Sequence, residues 1–275
     1  MVLTAMTRAI DVMHLGRDRV ICAHERDGLI IDPGPTSCLD TLLNALGGQE
    51  PRALLLTHIH LDHAGASGAL VRRFPNLEVY VHERGAPHMV DPSKLLKSAT
   101  QLYGEDMDRL WGEVVPVPEH NIQVLSGGET IEGLRVEYTP GHASHHVAYF
   151  HEETATALCG DVAGARIGDG PLIAPTPPPD IDIAAWHESI DRIAAWRPRR
   201  LALTHWGSFE DAGDHLARLH EELDDAVAHA QRLDEVGYEA WMGRRFAAAS
   251  ETEAYLQATP APTLHPGLAR YLGRR

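Results

Sequence analysis

The sequence lacks any apolar run long enough to cross a membrane. Its best candidate, Ala53–Leu56, has only the length of a strand. The first residues, Met1–Arg8, also lack the basic and then apolar order of a secretory signal. We therefore expect a cytoplasmic protein with no membrane partner.

Cysteine and lysine are both scarce. An odd set of three cysteines, Cys22, Cys38 and Cys159, does not indicate a disulfide framework, and no Cys-x-x-Cys pair is present to form a zinc knuckle. The only lysines are Lys94 and Lys97, and the formal net charge is −15. Because nucleic-acid binders present basic surfaces, this charge argues against a polynucleotide ligand.

Histidine, in contrast, is abundant. The chain has 18 histidines in 275 residues, which favours metal binding or proton transfer without locating a site. A hydrophobic content of 44% is typical of a globular protein, and the length allows one large domain with an appendage. No internal repeat of 20–50 residues is visible.

One segment predicts a β–loop–α–β unit. The continuous apolar run Ala53–Thr57 predicts a buried strand, followed by the turn His58–His63, a helix at Ala64–Phe74 and a strand at Leu77–Val81. Its polar cluster follows the carboxyl end of a strand, where open α/β sheets bind ligands. Further strands are predicted at 10–15, 20–24, 29–31, 113–117, 130–138, 146–150, 156–159 and 201–204, and helices at 37–46, 94–103, 106–111, 183–196 and after 208.

Two groups of strands with helices between and after them predict a layered α/β/β/α sandwich. We expect one domain at residues 1–208, with a helical insert at 83–112 that forms a lid. Residues 209–275 are expected to form a C-terminal helical extension packed on the same domain, because an amphipathic stripe runs from Leu216 to Ala230.

Four potential metal ligands lie within six residues of the turn after the predicted strand at 53–57. His58 and His60 can share one face because they are two residues apart in extended chain. Asp62 and His63 lie at the helix entry and can face a second point. One ion cannot easily take all four ligands, whereas two adjacent ions can. Imidazole with carboxylate suits zinc, with manganese and iron as alternatives.

Three more candidate ligands follow predicted strands. His142 lies in Thr139-Pro140-Gly141-His142, Asp161 lies in Cys159-Gly160-Asp161, and His205 follows Thr204. Each residue opens a loop after an apolar strand. Strand ends at one edge of a sheet can converge, so we expect these three to join the turn at 58–63.

The ordered segments His-x-His-x-Asp-His, Pro-Gly-His, Gly-Asp and Thr-His closely resemble the metallo-β-lactamase-fold superfamily over roughly residues 10–207, and within it the glyoxalase II-like hydrolases. Ile31-Asp32-Pro33-Gly34 is similar to the Asp-x-Gly turn of that family. The resemblance implies a four-layer αβ/βα sandwich of metallo-β-lactamase type. It also implies a first metal on His58, His60 and His142, a second on Asp62, His63 and His205, a bridging Asp161, and ligand-orienting roles for Asp32 and His146.

This reading predicts a dinuclear metal-dependent hydrolase. Two ions about 3.5–4 Å apart can share a hydroxide that attacks a small ester, thioester, lactone or phosphoester. Asp62 is the expected catalytic residue, because it can orient the nucleophile or accept its proton. A bridging Asp161 is not found in true zinc β-lactamases, which argues against a β-lactam. Thr204-His205-Trp206-Gly207 stands where true glyoxalase II has its glutathione-binding pattern, which argues against a glutathione thioester.

Two alternatives stay open. One is a mononuclear iron oxygenase of persulfide dioxygenase type that uses His58, His142 and Asp161, and the other is a non-catalytic binding protein on the same scaffold. The expected partner is a small-molecule substrate and no nucleic acid, while a homodimer is left open. Three other histidines, His145, His151 and His187, are predicted to be solvated. Tyr103 and Trp111 are predicted to pack in the lid or the core, and Arg166 is predicted to lie at the surface. Trp206 is expected either to line a substrate pocket or to pack in the core.

Overall fold

Two six-stranded sheets form the centre of the structure, a computed structural model that describes residues 6–273. The first sheet holds the strands in chain order, which are β1 Arg8–Asp11, β2 Cys22–Arg26, β3 Leu29–Ile31, β4 Ala53–Leu55, β5 Glu78–His82 and β6 Ile122–Leu125. The second sheet has the order β12-β11-β10-β9-β8-β7, with β7 Thr130–Ile131, β8 Leu134–Tyr138, β9 Val147–His151, β10 Thr156–Leu158, β11 Arg200–Leu203 and β12 Gly207–Phe209.

Both sheets are mixed, and their strand directions decide where the loops lie. Strands β3 to β6 are parallel, while β1, β2 and β3 are antiparallel. In the second sheet β8 and β10 both run antiparallel to β9, and β10 is parallel to β11. Strands β8, β10 and β11 therefore end at the same edge of their sheet.

The space between the sheets is filled by side chains that alternate along each strand. Leu29 and Ile31 of β3 pack in a buried cluster with Leu55 of β4 and Val136 of β8, which belongs to the second sheet. Ile30, between them in sequence, belongs to the other hydrophobic cluster, which includes helix residues. Because successive side chains point to opposite faces, these short strands are buried on both sides.

Helices cover the outer faces, and the four-layer sandwich predicted from the sequence is confirmed. Three helices lie between β5 and β6, and four follow β12. Among the described residues, no helix has both the length and the apolar character needed to cross a bilayer. The helices are α1 Leu39–Ala45, α2 Leu61–Ala64, α3 Ser67–Arg73, α4 Ala86–Val90, α5 Ser93–Tyr103, α6 Met107–Trp111, α7 Ile183–Ala195, α8 Ala212–Ala230, α9 Glu235–Ala247, α10 Thr252–Ala258 and α11 Ala261–Leu272.

The last four helices share the main hydrophobic core with the sandwich. Leu219 of α8 and Leu264 of α11 are buried in the same cluster as Ile173 and Trp186. The division of the chain at residue 208 stays a prediction.

The prediction of a strand at 113–117 was wrong. This segment contains Pro116 and is followed by Pro118, and a proline cannot donate a backbone hydrogen bond to a sheet. The segment belongs to neither sheet, and β6 follows it. β6 was missed because it is a half-exposed edge strand, in which Val124 is 57% exposed.

Two other predicted strands, at 130–138 and 10–15, were too long because each included a turn. Residues 130–138 form the β7–β8 hairpin, because Glu132 (φ 50°) and Gly133 (φ 78°) both adopt the left-handed conformation of a two-residue turn. The strand predicted at 10–15 ends at Asp11, since Met13 has a φ of 54°.

Candidate metal centre

A single buried carboxylate, Asp32, fixes the start of the histidine-rich turn. Its Oδ1 accepts the backbone N–H of Thr57 (2.8 Å), and its Oδ2 accepts the Thr57 hydroxyl (2.7 Å). Oδ2 also accepts Nδ1–H of His63 (2.8 Å) and the hydroxyl of Thr204 (3.1 Å). Four donors compensate the cost of burying this charge. Asp32 therefore ties together the ends of β4 and β11 and helix α2.

Three imidazole nitrogens form the first group of potential ligands. Nε2 of His58 lies 2.9 Å from Nδ1 of His60, which lies 3.0 Å from Nε2 of His142. His142 donates Nδ1–H to the carbonyl of Pro175 (2.8 Å). Nδ1 of His58 lies 3.1 Å from the Thr57 hydroxyl, which can accept because its own proton goes to the buried carboxylate. These contacts leave the Nε2 lone pairs of His58 and His142 facing Nδ1 of His60.

The second group consists of Asp62, His63 and His205. Asp62 Oδ2 lies 3.3 Å from Nε2 of His205 and 3.7 Å from Nε2 of His63. The other ring nitrogen of His205 donates to the carbonyl of Val20 (2.7 Å). Both histidines are thus oriented through Nδ1 and present Nε2 to the same point.

Asp161 lies between the two groups. Its Oδ1 is 3.2 Å from Nε2 of His63 and 3.6 Å from Nε2 of His205, and its Oδ2 is 3.5 Å from Nε2 of His142. The structure therefore brings all seven sequence-predicted ligands together, and each group contains donors within 4.8 Å of one another.

Two buried atoms in this centre indicate what it is built to hold. Among the described residues, Nε2 of His63 and Oδ1 of Asp161 are both buried, and although they lie 3.2 Å apart, neither forms a hydrogen bond. An unsatisfied buried polar atom costs about 1–3 kcal/mol, so such pairs require an explanation. Divalent cations would satisfy both atoms, and imidazole with carboxylate is the donor set that zinc, iron and manganese accept. The residues present fit two such ions.

The two groups differ in charge. Burial and the neighbouring histidines lower the pKa of His58, and burial lowers the pKa of His60 to about 4, so both imidazoles are neutral ligands at pH 7. Burial also disfavours charge on His63, but the carboxylates of Asp161 and Asp62 raise its pKa well above the ordinary value. The raised pKa favours a proton on this ring when no metal is bound, and a cation would displace that proton.

His146 packs behind the first group. Its ring centroid lies 5.0 Å from that of His58, Nε2 accepts the backbone N–H of Val162 (3.4 Å), and Nδ1 lies 2.9 Å from the Thr139 hydroxyl. The ring therefore connects the end of β8 to the loop that carries Asp161. A ligand-orienting role for His146 stays a prediction.

The prediction of a solvated His145 was wrong. This side chain is 9% exposed, and its ring lies 5.8 Å from that of His60. It is drawn inward because the loop after β8 turns back on itself, with the Tyr138 hydroxyl donating to the carbonyl of Ser144 (2.9 Å). Sequence spacing gave no signal for this position. His151, at 5% exposure, is also buried against expectation, and His187 is half-buried against the ring of His220.

A cavity of about 520 Å³ opens above the centre and reaches His60, Asp62 and Asp161. Tyr103 and Trp111, predicted to pack in the lid or core, line its wall. A second cavity of about 430 Å³ shares both aromatic residues and also reaches Asp62. The helices between β5 and β6 therefore contribute directly to the surroundings of the metal centre.

Arg166 and Trp206 line neither of these cavities. Arg166 was predicted at the surface, but its guanidinium donates twice to Asp211 (2.9 and 2.8 Å) and lies 4.4 Å from the ring centroid of Phe209. Its side chain is 15% exposed. Trp206 packs against the hydrophobic core.

Comparison with known proteins identifies relatives of this arrangement. Residues 20–205 match the sequence model of the metallo-beta-lactamase superfamily. A hydroxyacylglutathione hydrolase from Aeromonas hydrophila is 32% identical over 176 residues, which cover 62% of this chain and 54% of that protein. The match thus spans about half the length of this relative.

Solved structures show the same fold. An archaeal metallo-beta-lactamase superfamily protein from Sulfolobus tokodaii superposes with a TM-score of 0.71 at 21% identity, covering 96% of this chain and 98% of that one. A protein crystallised in a di-iron-bound form superposes with a TM-score of 0.54 at 27% identity, covering 76% of this chain and 91% of that one.

Proposed function

The chain belongs to the metallo-beta-lactamase superfamily, and on this premise we propose that it is a dinuclear metal-dependent hydrolase of a small ester, thioester, lactone or phosphoester. Zinc is the proposed metal, with manganese and iron as alternatives. The proposal includes a small-molecule substrate, no nucleic-acid partner and a cytoplasmic location.

One observation carries the proposal. The two donor groups meet at Asp161, whose two carboxylate oxygens face different groups, 3.2 Å from Nε2 of His63 and 3.5 Å from Nε2 of His142. A single ion needs only part of this set. The unpartnered atoms of His63 and Asp161 favour a second ion over the mononuclear alternative.

Two divalent cations would polarise a carbonyl or phosphoryl oxygen and activate the attacking water. The protein's part is to hold the donors rigidly and to move a proton. Asp62 is suited to the second task, because its side chain is 21% exposed and lines the cavity, whereas that of Asp161 is 5% exposed. Asp62 would orient the water and accept its proton while Nε2 of His205, 3.3 Å away, fixes the carboxylate.

The name of the Aeromonas relative refers to a glutathione thioester, so thioesters come first among the candidate substrates, although the segment at residues 204–207 argues against glutathione itself as the thiol part. Lactones, phosphodiesters and β-lactams complete a panel that should be tested on protein loaded with zinc, manganese or iron. We expect turnover of at least one non-β-lactam class.

Asp161→Ala should remove activity and metal together, with a loss of at least about 100-fold in kcat/KM, because both groups lose their shared ligand. Asp169→Ala is the matched control, since Asp169 lies exposed in the loop after Asp161. Steady-state kinetics and metal analysis of the same samples provide the measurement. Full activity in Asp161→Ala, or no turnover of any substrate class by the metal-loaded protein, would contradict the proposed function.

A further inference from the structure

Outside the metal centre, the wall of the larger cavity carries more cations than carboxylates, although the whole chain has a formal net charge of −15. Arg84, Lys94 and Arg270 line it, together with the half-buried His88. Apart from the two carboxylates of the metal centre, Asp180 is the one acidic residue of the described wall. One of the two lysines of the chain is therefore placed at this cavity.

Within the described part of the chain, no ion pair compensates these three cations. Arg84, Lys94 and Arg270 make no ion pair with any residue that the structure describes. In the smaller cavity the arginines are compensated, since Arg17 lies 3.6 Å from Glu253 and Arg109 lies 2.9 Å from Asp106. Outside the metal centre, cations therefore outnumber carboxylates on the wall of the larger cavity, with three against one, whereas the arginines of the smaller cavity are paired.

The three cations come from separate parts of the fold. Arg84 follows β5, Lys94 lies in the first turn of α5 and Arg270 lies near the end of α11. Asp180 is already engaged, because the Ser144 hydroxyl donates to its carboxylate (2.5 Å). The wall of the same cavity also includes apolar side chains such as Leu95 and Leu102. The cavity can therefore hold a short apolar stem with a charged end.

We propose that the substrate carries an anionic group, which Arg84, Lys94 and Arg270 bind at the cavity mouth while its hydrolysable bond lies over Asp62 and Asp161. The inference rests on the proposed hydrolase function and names its substrate class. Hydrolysis adds water across the bond and yields an acid and an alcohol or thiol, so no further reactant is required. Exposed cations of this kind also attract an anionic substrate from a distance and raise its association rate.

The test compares two p-nitrophenyl esters whose far carboxyl group is either free or methylated, p-nitrophenyl hydrogen glutarate and p-nitrophenyl methyl glutarate, on zinc-loaded protein, with the spontaneous hydrolysis of each subtracted. The wild type should prefer the anionic ester. Lys94→Glu and Arg84→Glu should each lower the ratio of kcat/KM for the anionic over the neutral ester by about tenfold, mainly through KM, as expected for reversing one charge near an ion in a solvent-exposed site. Lys97→Glu is the matched control, because Lys97 lies one turn further along α5, is exposed and does not line the cavity. It should leave the ratio unchanged.

A binding measurement separates this inference from the proposed function. Calorimetric titration of the zinc-loaded protein should show glutarate binding tighter than its monomethyl ester, with the difference lost in Lys94→Glu and kept in Lys97→Glu. If neither ester is hydrolysed but this pattern holds, the anion site stands and ester hydrolysis fails. If both esters are hydrolysed at a ratio that ignores Lys94 and Arg84, hydrolysis stands and the anion site is overturned. An equal effect of Lys97→Glu would also overturn it, since overall charge would then explain the preference.

Discussion

At the scale of single residues, Asp32 is the most connected support of the metal centre. It accepts hydrogen bonds from Thr57, His63 and Thr204 and contributes no donor atom to either ligand group. Its φ of 52° lies in the left-handed region, where Asp and Asn are the best-tolerated side chains after Gly. Asparagine can therefore replace it without backbone strain while changing the hydrogen bonding.

Asp32→Asn should weaken metal binding by about 10–100-fold, because an amide NH2 cannot accept from His63 or the threonine hydroxyls and the orientation of His63 is lost. Competition with a chelator measures the effect. Asp27→Asn is the control, since Asp27 also has a positive φ (49°) but is exposed. Unchanged metal affinity in Asp32→Asn would show that this carboxylate does not orient the ligands.

The residues of the centre could be predicted because their chemistry is rare and their spacing is regular. His58, His60, Asp62 and His63 occur within one turn, and no packing requirement demands such a set. The burial of His145 could not be predicted, because it depends on the path of the loop after β8. Two adjacent histidines in a loop form no repeating pattern from which the buried one could be recognised.

At the scale of elements, helix α7 holds two of the loops that bear ligands. The backbone N–H of Asp182 donates to the carbonyl of Gly141 (2.8 Å), and the indole N–H of Trp186 donates to the carbonyl of Val162 (2.7 Å). A Cβ at Gly141 would lie 2.3 Å from Cα of Trp186, so only glycine allows this approach. The close packing of α7 therefore requires glycine at the position before His142.

Trp186→Phe should destabilise the metal-free protein by about 2–4 kcal/mol, because the fully buried carbonyl of Val162 loses its donor and a cavity opens. Urea unfolding measures the change. Trp196→Phe, just after the same helix, should cost about 1 kcal/mol or less, since Trp196 is partly exposed and a stacked aromatic ring is kept. Equal costs for the two variants would show that α7 does not depend on this hydrogen bond.

Elements were predictable where the hydrophobic period was strong. β4 is apolar on both faces, so its sequence predicts a buried strand, whereas β6 is an edge strand whose Val124 faces solvent. The β7–β8 hairpin was missed because Glu132-Gly133 is not a common sequence for its turn, although both residues adopt the required backbone.

At the scale of the whole molecule, the sandwich followed from the alternation of strand groups and helices, but the surroundings of the centre did not. Thr259 and Leu264 from the last helical segment reach the wall of the larger cavity, together with residues of α5. No sequence pattern couples segments more than 150 residues apart. The net charge likewise gave no indication of the cations at the cavity, because the formal charge of the whole chain does not show where individual charges lie.

The central claim is that seven side chains hold two divalent cations, and the metal content of the purified protein tests it most directly. The protein should be saturated with zinc, freed of excess by gel filtration and analysed by mass spectrometry for metal per chain. We expect two zinc ions per chain in the wild type. A wild-type protein that retains one ion or none under these conditions would contradict the account.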